Sequence, residues 1–236
     1  MSVSILEGVD VSFNKSVKVL SNINLAVRRG EVLIVIGPSG VGKTTLLKTM
    51  VGLISPSAGR VQRDVNLTLG MVFQKNALFD SLTVFENLAF SLRETSTLNE
   101  LEVKERVENI LKEVELSHVL NLFPGEISGG MQKRLAIART LVLNPLFILY
   151  DDPTAGLDPV TGKVILEVIL RSKNKFNSTV VIVTNDMKWA FRVGTQIALL
   201  MEGRLINLGS PKEAKEYPDS RVQKFLRGEG DFLDVS

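Results

Sequence analysis

Eight residues carry the most explicit chemistry in the chain: Gly37-Pro38-Ser39-Gly40-Val41-Gly42-Lys43-Thr44, a complete match to G-x-x-x-x-G-K-[ST]. Glycines let a backbone curl with its N–H groups turned inward, and a helix that begins there adds the positive end of its dipole. Together they make an anion cradle. Lys43 sets a cation on β/γ-phosphates, and the Thr44 hydroxyl can enter the shell of a Mg²⁺ held by the same phosphates. The bland alternative is a glycine turn without a ligand, and the flanking segments argue against it. By itself the loop says nucleotide, with kinase, GTPase, motor and transporter all open.

Further residues extend this chemistry. Leu146-Phe147-Ile148-Leu149-Tyr150 runs into Asp151-Asp152, and a buried strand delivering a carboxylate beside a phosphate loop holds Mg²⁺ through water. Asp151 is thereby assigned to the metal shell and Asp152 to polarising a water. Ser128-Gly129-Gly130 offers a helix cap followed by exposed backbone N–H groups, a second anion-binding helix start. One ligand can use both starts only if a neighbouring chain supplies one. Gln74, directly after an expected core strand, either faces the ligand at a strand's carboxyl end or is an ordinary loop residue. Phe13 either stacks on a purine base or packs as a strand side chain, and His118 reads as a helix-end residue.

The elements that must position these groups follow from periodicity. Val32 to Ile36 is too short and too β-branched for anything but a buried strand, and Thr45 to Val51 reads as a helix. Residues 3 to 36 alternate as antiparallel strands, with a turn at Gly30-Glu31. Pro56 to Gly59 reads as a turn, and Arg60 to Phe73 as two strands. From Lys75 the pattern turns helical. Thr83 is expected to cap a helix with Glu86 three residues on, and 99–115 to form a helix with Leu101, Val103, Val107, Ile110, Leu111 and Val114 on its apolar face. A helix is expected from Pro159 to about Lys173, a strand over Thr179 to Thr184 ending at Asn185-Asp186, a hairpin around Glu202-Gly203, and one or two short helices after Pro211. The whole is expected to be an α/β domain, 1–236, with an inserted helical subdomain over about 75–142 and a short tail over 211–236.

Composition narrows the class. The 28 basic and 26 acidic residues give a net charge of +2 with no dense Lys/Arg block, so no nucleic-acid surface is indicated. A hydrophobic share of 44% with mean hydropathy +0.18 fits a sheet covered on both faces plus surface kept for partners. No apolar run approaches the roughly 20 residues that cross a bilayer, and the first residues show no secretory signal. With no Cys, disulfides and thiolate metal sites are excluded, and the cytoplasm is the expected home. A GTPase is disfavoured because no N-K-x-D follows the later strands.

In order along nearly the whole chain, the phosphate loop, Gln74, the Ser128-Gly129-Gly130 helix start, the Asp151-Asp152 strand and the Gly156-Leu157-Asp158 turn resemble the ABC ATPases of membrane transporters. That resemblance implies a P-loop NTPase core sheet with an N-terminal antiparallel β subdomain and an inserted α-helical one. It implies a head-to-tail homodimer with ATP and Mg²⁺ between the Gly37–Thr44 loop, extended by Thr45, of one copy and the Ser128–Gln132 motif of the other. Asp158 and an aromatic near Phe13 would join the nucleotide site, and Thr44, Gln74 and Asp151 the metal. Lys43, Gln74, Asp152 and Asn185 would be the catalytic set. The stretches Phe73 to Val84 and Leu88 to Glu94, Met131 after the two glycines, and Asp219 to Gly228 look like the Mla-type, Mce-associated lipid-transport ATPases. This narrower likeness implies an Mla-type permease, an Mce-domain lipid carrier, phospholipid cargo, and a peripheral place on the cytoplasmic face of the inner membrane. Two positions depart from the family. Asp152 stands where Glu is usual, shorter by one C–C bond of about 1.5 Å; Asn185 stands where His is usual and carries no proton. Both point to slower hydrolysis. The segment between Gly59 and Gly70 is also shorter than usual.

Overall fold

The computed structural model describes residues 2–14 and 17–229. The chain forms two compact units, Met1–Leu67 with Thr179–Ser236, and Thr68–Ser178.

In the first unit, β1 (Ser2–Asn14) and β2 (Val17–Arg28) pair antiparallel, and β4 (Ala58–Arg63) joins the other side of β1 to give the order β2-β1-β4. Alternation along β2 puts Leu20, Ile23, Leu25 and Val27 inside, as a sheet with one wet face requires. A second sheet is built on β3 (Val32–Ile36), which runs parallel to both β7 (Thr179–Thr184) and β8 (Gln196–Met201); β9 (Arg204–Gly209) returns antiparallel to β8. Every residue of β3 and β7 is buried, the signature of a strand covered on both faces. Helix α1 (Lys43–Val51) packs Leu46, Leu47 and Met50 inward.

In the second unit, β5 (Leu69–Val72) and β6 (Phe147–Asp151) are parallel neighbours. Around them stand α2 (Val84–Thr95), α3 (Glu100–Glu113), α4 (Gly129–Leu141) and α5 (Pro159–Phe176). Local signals for these helices act as expected. Thr83 accepts the Glu86 N–H at 3.2 Å, and Asn99 with Glu102 completes a capping box on α3. The first unit also holds α6 (Met187–Val193) and, in the tail, α7 (Pro211–Lys215) and α8 (Ser220–Leu226). The tail expected over 211–236 lies outside the described residues from 230 onward.

Several expectations need correction. Ala58 and Gly59 already belong to β4, because Gly59 (φ +78°) lets β4 pass against the Glu7 and Gly8 carbonyls, where a Cβ would stand 2.3 Å from the Gly8 oxygen. Leu101 is 66% exposed, since it lies in the first turn of α3, off the 103-107-110 stripe. Phe13 is 56% exposed, so the packed-strand reading fails there. Helix α5 continues three residues past Lys173, to Phe176. Helix α6 was not foreseen: Asp186, read as a strand end, is its N-cap and accepts the Trp189 N–H at 3.2 Å.

Candidate functional site

The phosphate loop joins β3 to α1 within the first unit. Its glycines answer to separate constraints. A Cβ on Gly37 would sit 2.2 Å from the Leu200 carbonyl oxygen of β8, so no side chain fits where the strand ends. Gly40 and Gly42 have φ of +76° and +106°, left-handed values that favour glycine. Gly42 is also the N-cap of α1 and brings no side chain to compete for the helix's first N–H groups, and no acidic residue stands in the first turn. A cradle of backbone with this positive end suits a phosphate.

Lys43 is buried, with Nζ donating to the carbonyls of Gly37 and Pro38 at 2.8 Å each and to Asn185 Oδ1 at 2.6 Å. Asn185, at the exposed end of β7, also donates from Nδ2 to Ser39 Oγ at 3.2 Å. So Asn185, far in sequence from Ser39 and Lys43, forms one network with them inside this unit. Val41, Thr44 and Thr45 complete the loop and the first turn of the helix, and Phe13 stands exposed on β1.

The second unit brings together the other candidates. Asp151 ends the fully buried β6 and is 4% exposed; Asp152 follows with φ +44°, a left-handed turn that sends the chain off the strand axis. Beside them is a residue to which sequence reasoning gave no role. Lys133 of α4 is 6% exposed, donates to the Gln74 carbonyl, and has its pKa lowered by burial while the charges of Asp152 and Asp151 hold it up. A lysine flanked by helical apolar positions at Leu135 to Ala138 is the signal that could have revealed it. Gln74 itself lies two residues beyond β5, its side chain exposed and its carbonyl taken by Lys133.

Ser128 caps α4 and accepts the Met131 N–H at 3.3 Å, while Gln132 ties the helix start back to the Pro124 carbonyl at 2.9 Å. Gly130 faces Thr161 of α5, whose Cγ2 would lie 2.6 Å from an added Cβ. Thr161 in turn donates to Asp158 Oδ2 at 2.5 Å, and Asp158 Oδ1 accepts the Val160 and Thr161 N–H groups at 3.0 Å each. The glycine pair and the Gly156–Asp158 turn therefore meet through one threonine. The Thr161 hydroxyl and these N–H groups hold the Asp158 carboxyl below its ordinary range.

Among the described residues no group of three His, Cys, Asp or Glu could hold an ion alone. Within each unit the donors are hard oxygens, the Thr44 hydroxyl in the first and the Asp151 carboxylate in the second, the kind of ligand that Mg²⁺ takes together with water and phosphate.

A family model described as ABC transporter matches residues 20–155, more than half of the chain. The chain is an ATPase of the ABC transporter family. This ABC ATPase is 33% identical over 246 residues to the intermembrane phospholipid transport system ATP-binding protein MlaF of Haemophilus influenzae, covering 98% of this chain and 93% of that one. It is 36% identical over 247 residues to the sulfate/thiosulfate import ATP-binding protein CysA of Pseudomonas aeruginosa, covering 100% of this chain and 74% of that one. Among solved structures, cbiO1 of Clostridium perfringens, part of the ABC transporter complex cbiONQ, matches with a TM-score of 0.83 and 30% identity over 96% of this chain and 95% of that one. The ATP-binding cassette MJ0796, in a dimeric post-hydrolysis state bound to ADP and Pi, matches with a TM-score of 0.76 and 32% identity over 87% and 98%. Among the described residues of this ABC ATPase no helix is long and apolar enough to cross a membrane.

Proposed function

We propose that this ABC ATPase drives phospholipid transport as one half of a homodimer, on the cytoplasmic face of the inner membrane, against an Mla-type permease that works with an Mce-domain lipid carrier. The observation that carries the nucleotide half of this reading is the Lys43 ammonium held by the Gly37 and Pro38 carbonyls of a glycine-rich loop. The lipid half is supported by the likeness to MlaF, joined to the Phe73–Val84 and Met131 sequences quoted above. The chain functions as a single ABC domain with 75–142 as its helical insertion and 211–236 as its tail.

In this reading Gly37 to Thr45 bind the ATP phosphates. Ser128, Gly129 and Gly130 of a second copy close over them with Asp158, and Phe13 lies against the base. Thr44, Gln74 and Asp151 would hold Mg²⁺, which neutralises phosphate charge and orients the terminal group. Lys43 draws charge from the β/γ-phosphates. Asp152 orients the attacking water and accepts its proton, Asn185 donates to a phosphate oxygen, and Gln74 responds to the metal at the end of its loop. Lys133 positions Gln74 by gripping its carbonyl.

Phosphate release by the chain assembled with its permease, compared with Lys43→Ala, tests the enzyme claim; equal rates would remove it. Extraction of lipid from the purified membrane complex tests the cargo. Phospholipid in stoichiometric amount supports the reading, and transport of sulfate or sugar without lipid would replace it.

A second reading is a subunit that dimerises on ATP and turns over slowly, favoured by Asp152, whose short carboxylate stems from a left-handed backbone. Asp152→Glu is expected to raise turnover under this reading; an unchanged rate removes its basis.

A further inference from the structure

The hydrogen bonds around Lys43 carry more than a description of the loop. An ammonium has three protons to donate and no lone pair to accept. Lys43 Nζ meets Gly37 O, Pro38 O and Asn185 Oδ1 at 2.8, 2.8 and 2.6 Å, so acceptors of this chain already surround the ammonium. The amide's orientation follows from its other end. Nδ2 donates to Ser39 Oγ at 3.2 Å, and turning the amide over would set its NH₂ against the ammonium, donor facing donor.

A phosphate oxygen that is to accept from Lys43 competes with these acceptors. The two carbonyls belong to the loop backbone, where Gly37 is buried against Leu200. Asn185 is different. It is an exposed side chain between β7 and α6, able to leave by rotation about its own side-chain bonds.

We infer that Asn185 is a latch on the phosphate loop: its amide oxygen competes with nucleotide phosphate for Lys43 while its NH₂ ties Ser39, and it must swing away for the phosphate to bind. Asn185 is thus a positioning residue with an inhibitory contact as well as a donor to phosphate. The inference rests on the nucleotide-binding reading and adds to it a competition within this chain. Because the amide is neutral, the latch is weak enough to open and needs no proton to do so. An anionic side chain at 185 would shut it.

Calorimetry of the full chain with ADP tests this, since ADP reaches Lys43 through its β-phosphate and has no γ-phosphate for Asn185 to hold. Asn185→Ala is expected to bind ADP roughly threefold to tenfold more tightly, the range of one net hydrogen bond. Asn185→Asp is expected to bind it at least about tenfold more weakly, its carboxylate holding the ammonium by charge. A role in merely supporting the loop would make Asn185→Ala weaker, and a role confined to the γ-phosphate would leave ADP affinity unchanged; either result overturns the latch. If thermal melting shows that Asn185→Ala does not fold, Asn185→Leu, close to asparagine in size, carries the same expectation and the same overturning result. No ADP heat with the wild-type chain would sink the nucleotide-binding reading itself, an outcome distinct from equal affinities.

Discussion

The chain starts a helix from glycine twice, and the two starts obey different physics. At α1 the N-cap is Gly42, with φ +106° and no side chain of its own on the first N–H groups. At α4 the N-cap is Ser128 in an extended conformation, and its hydroxyl already takes the Met131 N–H. The first start has no side-chain cap; the second is partly satisfied by its own. Their glycines differ as well. Gly42 needs its residue type for backbone conformation and for the nearness of Val19, 2.8 Å from an added Cβ. Gly129 has nothing within 4 Å of that position, whereas Gly130 is excluded from having a side chain by Thr161 alone. The same letter in a motif can stand for torsion, for packing, or for neither.

The largest effect expected from breaking this comparison lies at the first start. Lys43→Ala should lower steady-state phosphate release on the order of 100-fold, the scale for loss of one donor to developing charge, with little change in melting temperature. Next is the packing of the second start. Gly130→Ala should cost about 1–3 kcal/mol in denaturant unfolding, as overpacking does, and Thr161→Ser, which removes the offending methyl yet keeps the hydroxyl for Asp158, should restore most of it. Gly129→Ala is the matched control and should be neutral or slightly stabilising, while still lowering ATP turnover if the second copy's N–H groups approach phosphate. Ser128→Ala should cost about 1 kcal/mol, the usual worth of such a cap; no loss would mean that Gln132 alone holds the helix start.

The smallest effect concerns pH. Thr161 and two N–H groups hold the Asp158 carboxyl below its ordinary value, so whatever it contributes is fully present above the unfolded aspartate pKa of about 3.9 and is lost as pH falls through the lower folded value. Denaturation followed downward from pH 5 should therefore be shallower in Asp158→Asn than in the wild type. Parallel curves would detach Asp158 from acid stability.

Much of the fold could be read from local pattern because its signals are local. The strand over Thr179 to Thr184, the hairpin at Glu202-Gly203 and the helix caps at Thr83 and Ser128 depend on neighbours within a few residues, and each forms where expected. Misreadings fell where a distant segment decides. The Pro56 to Gly59 turn gave way to a strand because β1 lies alongside it, and Phe13 keeps strand geometry without being covered. Lys133 and Thr161 escaped attention for the same reason: nothing near either in sequence tells that one faces Gln74 and the other Gly130.

From residue order alone came the anion cradle and the expectation of a metal carboxylate at Asp151, since these depend on chemical type at fixed spacing; the departures at 152 and 185 showed only against the family that the chain resembles. Folding decided which groups touch. A lysine's reach and an amide's two ends become a competition only when β7 delivers Asn185 beside a loop that precedes it by more than a hundred residues. Backbone torsion and side-chain type are properties of a segment; the identity of a hydrogen-bond partner is a property of the packed whole.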